Sequence, residues 1–219
     1  MSELTLDQWN DLLREHPDAH LLQTGAWGKL KSSFGWEPVC IVGREMGAQI
    51  LFRHLPLGFS FAYIPKGPVA WGTGAHLDHQ FWEEVDAVCR KQRAIFLKME
   101  MDGWEDDGLP GIPYPSTYHT SQLHVQPRST LVIDLHGSQD EIFNCMKPKT
   151  RYNIRLAGRK EVSVSISNDV ESFHQLMMVT SRREAFHVHS LEYYRKAYDL
   201  FHPQGQCELF FAKYLDQTL

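Results

Sequence analysis

The sequence predicts a mixed α/β protein, a mixed sheet with flanking helices, arranged as two modules that meet near residue 129. Three observations lead there. Short apolar runs of strand length alternate with segments whose apolar residues recur at helical spacing, which is the order of an α/β chain. The stretch DGWEDDGLPGIPYPST at 102–117 holds three Pro, three Gly and four acidic residues, so it reads as a long loop. From residue 129 the order strand, helix, helix, strand, helix, helix, strand begins afresh, giving modules at 1–128 and 129–219.

The elements follow in order. Leu6–Arg14 reads as a helix, and a second short helix centres on Trp27–Ser32. Three strands are expected at Pro38–Gly43, Ala48–Leu55 and Ser60–Ile64, the first two joined by a hairpin-length RE-MG connection. Pro65-Lys66-Gly67-Pro68 ends the third. From His76 to Arg93, Phe81, Trp82, Val85, Val88 and Cys89 recur at helical spacing, with acids early and bases late as the helix dipole favours. A strand is expected at Ala94–Met101 and another at Arg128–His136. Ser138 and Glu141 form a capping box for the next helix, and Pro148 suits the first position of a helix running to Lys160. Val162–Ser167 alternates as a strand, and Asn168 with Glu171 caps a helix through Thr180. Leu191–Phe201 is helical and Glu208–Leu215 is the last strand.

Composition narrows the function. The 219 residues carry 22 Lys+Arg against 27 Asp+Glu, a net charge of -5, which argues against a protein that coats itself with nucleic acid. The cysteines at 40, 89, 145 and 207 are too sparse for a disulfide framework or a CxxC metal site. No apolar run reaches the roughly 18 residues of a membrane-spanning helix, and the N-terminal MSELTLDQWNDLLREH does not read as a signal peptide. A cytoplasmic location is expected. GxSxG, GxxxxGK[ST] and GxGxxG are all missing, so covalent catalysis and nucleotide cradles have no support.

Two basic stretches stand out. In KPKTRYNIRLAGRK, Arg151, Arg155 and Arg159 are each four apart and form one helical stripe, which disfavours the helix unless an anion meets it. Phosphate or diphosphate would suit that set; a solvated face relieved by outside carboxylates is the alternative. In SRREAFHVHSLEYY, Tyr194 shares a face with Ala197, Tyr198 and Phe201 and reads as core, whereas Tyr193 points about 100° away and is freer to meet a ligand. His187 and His189 lack a third ligand of characteristic spacing, as do His76 and His79, so no metal is expected. Glu100 ends a strand, and strand ends in α/β folds often line crevices, although solvated acids are equally common there.

In order and spacing, HLLQTGAWGKLKSSFGWEP, YIPKGPV, FLKMEMD, QPRSTLVIDLHGSQDEIFNCMKPKTRYNIRLAGRKEVSV and TSRREAFHVHSLEYY resemble the FemABX peptidyltransferases, over nearly the whole chain. The MKPKTRYNIR run is the most specific part. The resemblance implies tandem acetyltransferase-like (GNAT) modules and a reaction that moves an amino acid from aminoacyl-tRNA to the stem peptide of a peptidoglycan precursor. The acceptor would be UDP-muramyl pentapeptide or its lipid-linked form, the chain would work at or near the inner face of the membrane, and no cofactor is implied. Lys31 falls where a lysine meets the acceptor's diphosphate, Tyr193 where a tyrosine meets substrate, and Glu100 where some members have an acid–base Asp. Arg151, Arg155, His187 and His189 complete the expected substrate-binding set. His189 stands where other members carry a phosphate-binding Arg. Members continue past this point with further strands and a helix, so the second module is expected to be incomplete. It should then either pair with another copy through its last strand or leave its C-terminal segment poorly ordered, and transfer activity is expected to need the longer form. An acyl-CoA-type acyltransferase and a non-catalytic precursor-binding fragment are the competing readings.

Overall fold

The computed structural model describes residues 2–71, 78–103, 115–127, 130, 133–215 and 217–219. The chain divides into two compact units, Met1–Arg128 and Ser129–Leu219.

The first unit is a sheet with helices on both faces. Its elements are β1 (Ser2–Leu4), α1 (Leu6–Leu13), α2 (Gly25–Ser32), β2 (Trp36–Val42), β3 (Met46–His54), β4 (Ser60–Pro65), β5 (Val69–Ala70), α3 (His79–Lys91) and β6 (Ala94–Glu100). The strand order is β1-β2-β3-β4-β6, with β5 beside β3; every pair is antiparallel except the parallel β4 and β6. The period-2 alternation of β2 decides which face each residue serves. Val39 and Ile41 join Ile50, Phe52, Ile64, Phe81 and Val85 in the core under α3, while Cys40 and Val42 pack with Trp9 and Leu13 of α1. β3 is covered on both faces and is buried continuously from Met46 to Phe52, as a central strand should be.

Two buried amides tie the segment before α2 to this sheet. The Gln23 side chain donates to the Pro65 carbonyl at 2.6 Å and accepts from the Gln49 N–H at 2.9 Å, and the Gln49 amide donates to the Thr24 carbonyl at 3.0 Å. The Trp9 indole donates to the Gln23 carbonyl at 2.6 Å. Gly28 of α2 is required by this contact, since a Cβ there would lie 2.1 Å from Gln49 Oε1.

The second unit contains α4 (Gln139–Cys145), α5 (Pro148–Arg159), β7 (Ser163–Ser167), α6 (Val170–Glu184), α7 (Leu191–Phe201), β8 (Leu209–Tyr214) and β9 (Gln217–Thr218). Its antiparallel sheet has the order β7-β8-β9. Val170, Phe201 and Phe211 are buried, and Phe173 meets Tyr194 edge-on at 5.3 Å. The opposite sheet face, with Val164, Ile166 and Phe210, is exposed.

Several expectations are corrected. The cap of α6 is Asp169, whose carboxylate accepts the Ser172 N–H at 2.9 Å, and not Asn168. Short β1, β5 and β9 carry no strand-length pattern and were not expected. Of the strand expected at Arg128–His136, residues 128, 129, 131 and 132 lie outside the described set, and 130 and 133–136 are in no strand. There Asp134 accepts both the backbone N–H (2.9 Å) and the ring nitrogen (2.6 Å) of His136, local bonding that competes with a ladder. The strand ending near Leu215 is not an edge along its whole length, because β9 pairs with Lys213 and Tyr214. His76 lies outside the described residues. No helix among the described residues is long and apolar enough to cross a membrane.

Candidate functional site

In the first unit a caged cation stands at one end of the sheet. Thr24 caps α2 by accepting the Trp27 N–H, and one helical turn separates Trp27 from Lys31 on the same face. The Lys31 ammonium sits 5.4 Å from the Trp27 ring centre and 5.3 Å from that of Trp36, the first residue of β2. Register places Arg53 of β3 directly beside Trp36, with its guanidinium 5.9 Å from the same ring. Arg53 also donates to the Phe34 carbonyl and packs over Gly35, whose φ of 80° admits no side chain there without strain. Burial and then the Arg53 charge lower the pKa of Lys31. Two indole faces offset part of that penalty through their quadrupoles. The result is two neighbouring cations held against aromatic walls, an arrangement suited to a diphosphate.

Register extends the same sheet face further. Trp36 pairs with Arg53 and Arg53 with Phe61. Trp36 meets Phe61 edge-on at 5.3 Å, and Phe61 stacks on Phe96 at 5.6 Å. An aromatic row therefore runs from the Lys31 cage across β2, β3 and β4 to β6.

Glu100 closes β6 inside a cluster of donors. Its carboxylate accepts the Tyr63 hydroxyl at 2.6 Å and the backbone N–H groups of Val125 (2.6 Å) and Gln126 (3.1 Å), with the Lys98 ammonium 3.7 Å away. Burial alone would raise its pKa, but the Tyr63, Val125 and Gln126 hydrogen bonds and the Lys98 charge outweigh it, and the net shift is downward. A carboxylate so occupied is a weak base. The geometry makes it a clamp that ties 123–127 to the sheet, beside a cavity of about 750 Å³ that Lys66, Lys98, His124 and Gln126 also line. Tyr63 and Lys66 belong to the YIPKGP turn, which looked like a plain strand end in sequence.

The second unit holds the remaining candidates. The arginine stripe exists on α5, but its members are engaged. Arg151 donates to the carbonyls of Asn144 and Met146 and so caps the end of α4. Both bonds use one guanidinium nitrogen, so this capping role stands beside its expected role as an anion ligand. Arg155 lies over the Phe143 ring at 4.9 Å and Arg159 over Tyr152 at 6.0 Å. Arg155 is exposed and keeps its donors toward solvent. His187 and His189 lie on the exposed connection between α6 and α7. The His189 ring stacks on Tyr193 at 3.9 Å, and its carbonyl lies 3.2 Å from Nε2 of His174. Ser190 caps α7 and accepts the Tyr193 N–H at 3.2 Å. Tyr193 is thus half-buried against a histidine, as Tyr194 is against Phe173, and burial raises its pKa. Arg53, Trp36 and Tyr63 were missed in the sequence, since strand register alone brings them to Lys31 and Glu100.

A mixed α/β sheet with a caged cation beside an aromatic row characterises the first unit. The chain belongs to the FemAB family, whose profile matches residues 3–101 and 114–216. It is 27% identical over 227 residues to a lipid II:glycine glycyltransferase of Staphylococcus haemolyticus (strain JCSC1435), covering 96% of this chain and 54% of that protein. A lipid II:glycine glycyltransferase of Staphylococcus aureus matches with the same identity and coverage. The crystal structure of FemX superposes with a TM-score of 0.78 at 25% identity, over 98% of this chain and 58% of that one. The chain therefore spans little more than half the length of these relatives.

Proposed function

We propose that this chain belongs to an aminoacyltransferase of the FemABX type that extends the stem peptide of a peptidoglycan precursor. Aminoacyl-tRNA is the donor in this reading, and the acceptor carries its diphosphate to Lys31. The carrying observation is the Lys31 ammonium between Trp27 and Trp36 with Arg53 alongside, in a member of the FemAB family. The names of the relatives favour a lipid-linked acceptor, and the work would then take place at the cytoplasmic face of the membrane.

The reaction is aminolysis of an ester. The acceptor amine, as the free base, attacks the ester carbonyl; a tetrahedral oxyanion forms; the ribose oxygen leaves as the amide forms, and the amine's proton ends on that oxygen. Such a reaction needs orientation, help with one proton and a place for negative charge, and no side-chain nucleophile. Lys31 and Arg53 hold the acceptor at its diphosphate. Tyr193, His189, His187, Arg151 and Arg155 are the second unit's candidates for contact with substrate, and Glu100 lies in the wall of the cavity beside β6.

The test is titration of the chain with UDP-muramyl pentapeptide, with a short-chain lipid II and with aminoacyl-tRNA. Lys31→Met, which keeps the stem between the indoles and deletes the charge, is expected to weaken both precursors at least tenfold, since one charge-assisted pair supplies about 1.5–3 kcal/mol. Equal binding by the parent and Lys31→Met would overturn the acceptor assignment.

A further inference from the structure

The turn between β3 and β4 presents an apolar tip to solvent. Leu57 stands there with φ of 65° and is 85% exposed, followed by Gly58 and by Phe59 at 39%. A left-handed position at a wet turn favours Gly or Asn and disfavours a branched apolar side chain on both counts. Neither backbone geometry nor packing within the fold asks for leucine. Register puts more apolar surface beside it: Ser60 pairs with Ala94, next to Ile95 (59% exposed) and Phe96 (53%).

Cations lie near this tip. The Arg93 guanidinium lies 4.6 Å from the Phe59 ring centre, and Arg53 lies on the adjoining aromatic row. The nearby carboxylate, Glu37, is held by His54 at 2.7 Å and by Gln92 at 2.9 Å. A protein with net charge -5 thus places the Arg93 cation against the exposed Phe59, with Arg53 on the adjoining row. Arg53 and Leu57 are four residues apart, so at most about 14 Å of chain separates the diphosphate-type site from the apolar tip.

We infer that the Leu57–Phe59 turn, with Ile95 and Phe96, is a membrane-docking tip that enters the headgroup layer of an anionic bilayer. Apolar side chains reaching into the acyl boundary and arginines at the phosphate level are the requirements of an interfacial anchor. The inference rests on the acceptor reading only in explaining why the tip stands next to Lys31: a lipid-linked diphosphate lies in that same headgroup layer.

Vesicles without any precursor test the tip by itself. The 219-residue chain is sedimented with unilamellar vesicles of phosphatidylglycerol and phosphatidylcholine in equal parts, and with phosphatidylcholine alone, across a salt series. Salt-sensitive binding to the anionic vesicles is expected. Leu57→Asn, which suits the left-handed backbone, is expected to weaken it about tenfold by removing one buried leucine, and Arg93→Gln about fivefold. Thermal melts accompany each variant, and Leu57→Gly replaces Leu57→Asn if the latter melts early. No binding by the parent, or parent-like binding by both Leu57 variants, overturns the inference. So does a dimer of the parent in the absence of vesicles that Leu57→Asn dissolves, because the tip's occupant is then a second copy. Failure here with intact precursor titrations leaves the acceptor assignment standing, and the reverse result leaves the tip.

Discussion

Replacing Glu100 with Gln separates a clamp from an acid–base catalyst. The substitution keeps the side chain's shape but turns one oxygen into an NH2 that faces a donor, either the Tyr63 hydroxyl or the N–H groups at 125 and 126. Those two amides are near the surface and regain water, so their loss costs little. The Tyr63 hydroxyl belongs to a side chain only 7% exposed, and the Glu100 side chain is 11% exposed, so this bond is made away from bulk solvent. Hydrogen bonds to a charged partner are worth about 1.5–3 kcal/mol, and the variant is expected to lose about 2–3 kcal/mol in urea-unfolding measurements. The pH dependence has a definite sign. Glu100's folded pKa lies below its ordinary 4.5, so its contribution is complete above that value and fades as pH falls through the lowered one. The parent should therefore lose part of its margin over the variant below pH 4.5, and the two unfolding curves should converge in acid. A Glu100→Gln chain as stable as the parent at neutral pH would refute the clamp. A variant of normal stability that loses aminoacyl transfer, in an assay where the parent transfers, would restore the acid–base role.

Arg151→Ala is expected to cost about 1–2 kcal/mol in the same assay, because two carbonyls at the end of α4 lose their donor; unchanged stability with weakened anion binding would make Arg151 a ligand and not a cap. Gly28→Ala should destabilise the first unit by about 1–3 kcal/mol, since its Cβ would lie 2.1 Å from Gln49 Oε1 and the surrounding amides cannot yield freely. A Gly28→Ala melt at the parent temperature would show that Gln49 can move.

Much of this architecture is legible in the residues, and the gaps have physical causes. The capping boxes at Thr5 and Ser138 and the helical spacing of Phe81, Trp82, Val85 and Val88 are local signals, so α1, α3 and α4 are within reach of sequence reasoning. Asp169 displaced Asn168 as a cap because both can serve and only the backbone path decides between them. At the site, Lys31 is legible because a helical turn links it to Trp27, and the family resemblance points to it. Trp36, Arg53, Phe61 and Phe96 reach it through strand register, which no local pattern encodes. Arg151 shows another limit of pattern: a four-residue spacing says that charges share a face, but it cannot say that a neighbouring helix end also engages one of them.

The Gln23–Gln49 amide pair has a consequence for how tightly any ligand can be held at α2. These side chains bond the start of α2 to the middle of the sheet, at 2.9 Å from Gln49 N–H to Gln23 and 3.0 Å from the Gln49 amide to Thr24. The helix carrying Lys31 is therefore oriented when the unit folds, before any ligand arrives. Binding need not repay the entropy of ordering it, and affinity is set by a side chain that never touches the ligand. A change at Gln23 would then raise the dissociation constant of whatever Lys31 grips while leaving the contact list intact. Such distant sensitivity would belong to the scaffold, and in the proposed reading it makes the two buried amides part of recognition along with Lys31.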